Sequence, residues 1–174
     1  MHPTEMTEAP LTQHSSARRP ERVLVAGIGN MFFGDDGFGP AVVRHMAALP
    51  DLPPQVRVVD YGIRGLHLAY DLLDGYDALI VIDALAGRSA PGDLTVLEVG
   101  EDDLGSDHVD PHGMAPVAVL ASVRHLGGTL PPTWVVGVQS LSLDEGIDLT
   151  PPVQAAVPRA SEVVLTLMAT LGVG

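Results

Sequence analysis

Two carboxylates and an imidazole, Asp36, Asp83 and His112, are each expected just after a strand, in loops where such groups can meet around one divalent cation. Asp36 stands in Gly27-Ile-Gly-Asn-Met-Phe-Phe-Gly-Asp-Asp-Gly-Phe-Gly39, Asp83 closes the apolar run Ala78-Leu-Ile-Val-Ile82, and His112 lies in Val109-Asp-Pro-His-Gly113. Such a set cancels the charge of a divalent transition metal and leaves coordination positions open, which implies chemistry or recognition. His108 is a rival for the imidazole role, and the residues alone leave that choice open. His45, His67 and His125 fall on expected helices and are assigned no role.

Each carboxylate also has an ordinary reading. An Asp at a helix start is a favoured N-cap and suits the helix dipole. Asp35 and Asp36 are adjacent between Gly34 and Gly37, however, so one of the pair is free to point away from the helix. Asp83 at a strand end could simply begin a turn, but five apolar residues precede it, and a carboxylate at the edge of a buried strand needs a partner.

Other chemistries find less support. Gly27-Ile-Gly-Asn30 between a strand and a helix approaches a dinucleotide fingerprint, yet the third glycine position is Phe32, and two aspartates at the helix entrance repel a pyrophosphate. There is no Gly-x-Ser-x-Gly elbow, and Ser140 and Ser142 follow a strand without an obvious histidine partner. With 0 cysteines the chain has no thiolate nucleophile and no Cys-ligated metal, so any metal must bind through O and N donors.

The elements that position these groups follow from apolar periodicity. Continuous apolar runs at 22–28, 56–60, 78–83 and 133–138 read as strands, the first of them buried and parallel. Helices are expected over 38–49, over a short segment with Leu66, Ala69, Tyr70 and Leu73 on one face, over 114–125, and along a wide stripe from Val153 to Leu171. The run 93–99 is reached through a link too short for a crossover helix, so it is expected antiparallel at an edge. Residues 100–113 read as a long polar loop, of the kind that is usually functional or disordered. The result is an α/β fold of three layers, a mostly parallel sheet with one antiparallel edge strand between helices, and ligands of such sheets bind beyond the carboxyl ends of the strands.

At 174 residues the chain suits one domain, expected over 22–174, preceded by a polar and disordered leader over 1–21. No apolar run reaches membrane-spanning length, and a soluble, cytoplasmic protein is expected. A formal charge of −13 argues against nucleic acid or anionic membrane as partner and fits a small molecule, a cation or a basic protein.

Gly27-x-Gly-Asn30, Asp35-Asp-Gly-x-Gly39, Ile-Asp83-Ala and Asp110-Pro-His112, in this order and spacing, resemble the hydrogenase maturation endopeptidases over about 23–171. The resemblance implies a five-stranded twisted sheet between helices. It further implies removal of a C-terminal extension from a nickel-iron hydrogenase large-subunit precursor after nickel insertion. Nickel would arrive in the substrate rather than reside in the protease. By motif position the metal-contacting set maps to Asp36, Asp83 and His112, which selects His112 over His108. Asp35 and Asp60 become candidates for orienting ligands or a backbone loop. Two departures stand out: the first ligand, often Glu in relatives, is here the shorter Asp36, and Gly62-Ile-Arg-Gly65 replaces a Gly-Thr-containing turn, with Arg64 a candidate contact for the precursor's tail. The rival readings are a nickel-sensing or chaperone-like binding module that does not cut, and a metal hydrolase with a permanently held ion.

Overall fold

The computed structural model describes residues 18–104 and 115–174. His108, Asp110 and His112, and the first 17 residues of the expected leader, lie outside them. Within the described residues five strands form one sheet: β1 (Val23–Ile28), β2 (Val56–Gly62), β3 (Ala78–Leu85), β4 (Leu94–Val99) and β5 (Thr133–Gln139). Their order is β2-β1-β3-β5-β4, parallel throughout except for the β4–β5 pair, which is antiparallel as the short link before β4 requires.

Alternation along the central strands sends side chains into two separate cores. Val23 and Val25 of β1 and Ile80 and Ile82 of β3 pack with helices α1 (Phe38–Ala47) and α4 (Pro151–Thr170). Leu24 and Ala26 of β1 and Leu79 and Val81 of β3 face the other way, onto α2 (Gly65–Leu72) and α3 (Ala115–His125). Two helices thus cover each face, the three-layer arrangement expected. No helix among the described residues is long and apolar enough to cross a membrane.

The phase of α2 differs from its sequence reading. Leu68, Ala69 and Leu72 are buried, whereas Leu66, Tyr70 and Leu73 are exposed. A Cβ on Gly65 would lie 2.6 Å from Val119 Cγ2, so α2 starts in tight contact with α3, and that contact sets the rotation that apolar spacing alone misassigned.

β1 lies between β2 and β3, and the chain leaves it toward β2 through α1, while β3 leads on toward β5 and β4. The carboxyl ends of β1 and β3 are therefore the point where the connections diverge, the usual crevice of an open α/β sheet. Here α1 comes down onto the strand ends: a Cβ on Gly39 would lie 2.3 Å from the carbonyl oxygen of Ile28 and 2.4 Å from that of Ile82. Gly39→Ala is expected to force α1 off the sheet and cost about 3 kcal/mol. Urea unfolding reads it, and an unchanged midpoint would contradict this account of the packing.

Candidate active site

Asp36 sits in a single 3-10 turn, Gly34–Gly37, between β1 and α1. Neither Asp35 nor Asp36 caps a helix, since no side-chain cap hydrogen bond forms at this turn or at α1. The two adjacent carboxylates instead do different work.

Asp35 is wholly buried and accepts four donors: the backbone N–H groups of Leu141 at 2.8 Å, Ser142 at 3.0 Å and Thr150 at 2.7 Å, and the Thr150 hydroxyl, 2.9 Å from Oδ1 and 2.8 Å from Oδ2. Burial by itself raises its pKa, but the bonds from Ser142, Thr150 and Leu141 outweigh it and hold the carboxyl below its ordinary value. The β1–α1 turn is thereby fastened to the β5–α4 loop and to the first residues of α4. Of the two residues expected to orient a loop, Asp35 does so directly. Asp60 has a smaller part, accepting the Gly62 N–H at 2.9 Å beside the cleft.

Asp36 turns the other way. Its Oδ2 accepts the Asn30 N–H at 2.7 Å, and Asn30 Oδ1 in turn accepts the Phe32 N–H at 3.0 Å, so Asn30 shapes the loop that holds the carboxylate. Gly29 has φ +131, and a Cβ there would lie 1.9 Å from the Asp36 carbonyl oxygen, so only glycine lets the turn close this tightly.

Asp83 closes the run read as a strand, but the strand continues past it to Leu85 instead of giving way to a loop. It lies within β3, paired with Gly137 of β5. Following Ile82 on a strand, it points to the α2–α3 face of the sheet. Its Oδ1 accepts the Ala84 N–H at 2.8 Å. The β1 pairing ends at Ile82, so β5 alone holds the backbone of Asp83 in the sheet, which still fixes the side chain more firmly than a loop.

Asp36 and Asp83 meet in one cleft of about 200 Å³, walled by Asn30, Gly62, Ile63, Gly65 and Val119. Each has one oxygen hydrogen-bonded to backbone. The second oxygen of each carboxyl has no hydrogen bond and, since no fully buried side-chain N or O atom among the described residues lacks a partner, neither is wholly enclosed. Burial raises the Asp83 pKa from 3.8 to about 8; the Ala84 N–H opposes the rise and the charge of Asp36 adds to it. Among the described residues no group of three His, Cys, Asp or Glu forms a metal cluster, and the expected third ligand, His112, lies outside them. Asn30, Ile63 and Val119 had no role in the sequence reading. Asn30 within Gly-x-Gly-Asn was a visible signal, since an Asn after a glycine turn bonds its own backbone, whereas Val119 arrives from a distant helix.

Comparison with known proteins agrees with this geometry. Residues 40–167 match the family model described as hydrogenase maturation protease, a stretch that contains Asp83 and begins just after Asp36. The Hydrogenase 2 maturation protease of Escherichia coli (strain K12) is 33% identical over 154 residues, covering 87% of this chain and 93% of that one. The chain belongs to the hydrogenase maturation protease family. The hydrogenase expression/formation protein HupD of Rhodobacter capsulatus is 35% identical over 146 residues, covering 81% of this chain and 68% of its own. Among solved structures, the hydrogenase maturating endopeptidase HybD from E. coli superposes with a TM-score of 0.75 at 32% identity, over 87% of this chain and 94% of that one. The fold is the one these proteases share.

Two outcomes follow for the maturation protease. Asp35→Ala leaves three backbone donors without their acceptor and is expected to cost about 3–5 kcal/mol, with faster hydrogen exchange over 141–150; protection equal to the parent would contradict the bracing role. Asp83 behaves oppositely. The folded protein keeps it protonated while the unfolded chain ionises it, so it costs nothing below about pH 3.8, and stability falls as pH rises from there to about 8. Asp83→Asn, which does not ionise, is therefore expected to exceed the parent in stability by on the order of 2 kcal/mol at alkaline pH, with the margin vanishing in acid. Denaturant midpoints across that range check it, and a margin independent of pH would contradict it.

Proposed function

We propose that this protease removes the C-terminal extension of a nickel-iron hydrogenase large-subunit precursor after nickel insertion, and that Asp36, Asp83 and His112 recognise the nickel the precursor carries. The observation that carries the reading is the pairing of Asp36 and Asp83 in one cleft, with burial and the charge of Asp36 favouring the neutral form of Asp83. A divalent ion entering with the substrate would offset both. Asp83 then gives up its proton to solvent and becomes a ligand, which makes nickel binding proton-releasing.

Incomplete coordination by the protease suits an ion that remains on its precursor. Oxygen and imidazole donors match nickel, and shared ligation brings the precursor's adjacent peptide bond up to the two carboxylates, where positioning alone lowers the barrier. The ion, when present, acts as a Lewis acid on the scissile carbonyl or on the attacking water. The protein's own part is to fix two carboxylates beside that bond on a strand and a braced turn. With 0 cysteines there is no thiolate nucleophile, and on this reading the hydrolysis is of the aspartic type, with Asp36 and Asp83 at the reacting centre.

Substituting Asp36, Asp83 or His112 by Ala is expected to leave a nickel-loaded precursor uncut, with losses of at least about 100-fold. Intact-mass measurement of the large subunit after incubation with purified protease reads this. Normal processing by all three variants would overturn the assignment, and nickel-dependent binding by the parent without any mass loss would turn the reading into a binding module.

A further inference from the structure

The cleft at Asp36 and Asp83 is about 200 Å³, below the roughly 300–1,000 Å³ of sites that enclose a ligand, so it cannot by itself grip a protein-sized substrate. The grip must come from surface beside it. Along that edge the β1–α1 loop and the β5–α4 loop run together: the Gly34 N–H donates to the Gly146 carbonyl at 2.8 Å, and the Gly146 N–H donates to the Phe32 carbonyl at 2.9 Å. Phe33 and Gly146 form a parallel bridge, and Asp35 bonds 141, 142 and 150 from beneath.

These two loops turn large apolar side chains outward. Phe32 is 61% exposed, Leu141 58% and Ile147 69%, with Leu143 also exposed. Contiguous exposed apolar side chains on a soluble protein mark interaction surface. The same loop carries Asp144, Glu145 and Asp148, all exposed, and neither 23–43 nor 133–158 contains an Arg or Lys. Among the described residues none of these three acids has an ion pair. A complementary partner presents apolar groups edged by basic ones.

We propose that this rim, centred on Phe32, Leu141, Leu143 and Ile147, is where the folded body of the large-subunit precursor docks, so that its tail falls into the Asp36–Asp83 cleft; the inference rests on the proteolytic reading above. The rim is held by backbone bonds and by buried Asp35, so its side chains are displayed on a scaffold already ordered, and docking forfeits little loop entropy. Apolar anchors beside an acidic border give affinity and orientation separately: the first through desolvation, the second through steering of a basic face.

The test is steady-state cleavage of purified nickel-loaded precursor by the full-length double variant Phe32→Ser/Ile147→Ser. These side chains take no part in the backbone bonds named above, so the fold should persist, with thermal unfolding as the check; Leu143→Ser serves if the double variant does not fold. KM is expected to rise at least about tenfold with kcat nearly unchanged. Leu126→Ser, an exposed leucine just after α3 in the connection that leads into β5, away from the carboxyl ends of the strands, should match the parent. A KM within twofold of the parent, an equal rise for Leu126→Ser, or a parent homodimer that the double variant dissolves would overturn the inference, the last assigning the rim to a second copy of this chain. If the parent cuts nothing, the proteolytic reading fails, and retention of the precursor on immobilised protein decides docking by itself. Roughly tenfold weaker retention by the double variant would sustain it, and equal retention would end it.

Discussion

The structure depends on a cost: Asp83 is a carboxyl group placed at the end of a buried strand, one cleft away from a second carboxylate. Burial and like charge both oppose its ionisation, and they push its pKa up to about 8. A fold optimised for stability alone would carry an amide or an aliphatic residue there. The ion carried by the proposed precursor would offset that cost.

The residues nearby hold the two carboxylates in place. Gly39 lets α1 seat on the carbonyls of Ile28 and Ile82, Gly29 lets the turn close over the Asp36 backbone, and Asn30 fixes the carboxylate through its N–H. Asp35 is the counterpart. It too is a buried acid, but surrounded by donors, so its charge is stabilised and ties two loops together. Two buried aspartates, Asp35 and Asp83, thus take opposite electrostatic roles, one surrounded by donors and one with a single backbone donor.

Much of this was legible before any coordinates. Long apolar runs fixed the strands, and a short link between 85 and 94 gave the antiparallel edge, because topology leaves few choices there. The convergence of Asp36 and Asp83 followed from the rule that loops and strand ends share one rim of an α/β sheet. What escaped was set by contacts far apart in the chain. The rotation of α2 depends on Gly65 meeting Val119, the bracing by Asp35 depends on residues more than a hundred positions away, and the strand continues beyond Asp83 to Leu85 because β5 extends far enough to pair with it. None of these leaves a periodic trace in the sequence.

The central claim is that the free oxygens of Asp36 and Asp83 become ligands of an ion the precursor brings. Nickel-edge X-ray absorption measures this directly on the precursor alone and on the precursor mixed with excess protease and freeze-quenched before turnover. The account predicts added oxygen scatterers at about 2.0–2.2 Å in the mixture, a spacing typical of carboxylate on a first-row divalent ion. A nickel spectrum identical with and without the protease would contradict it.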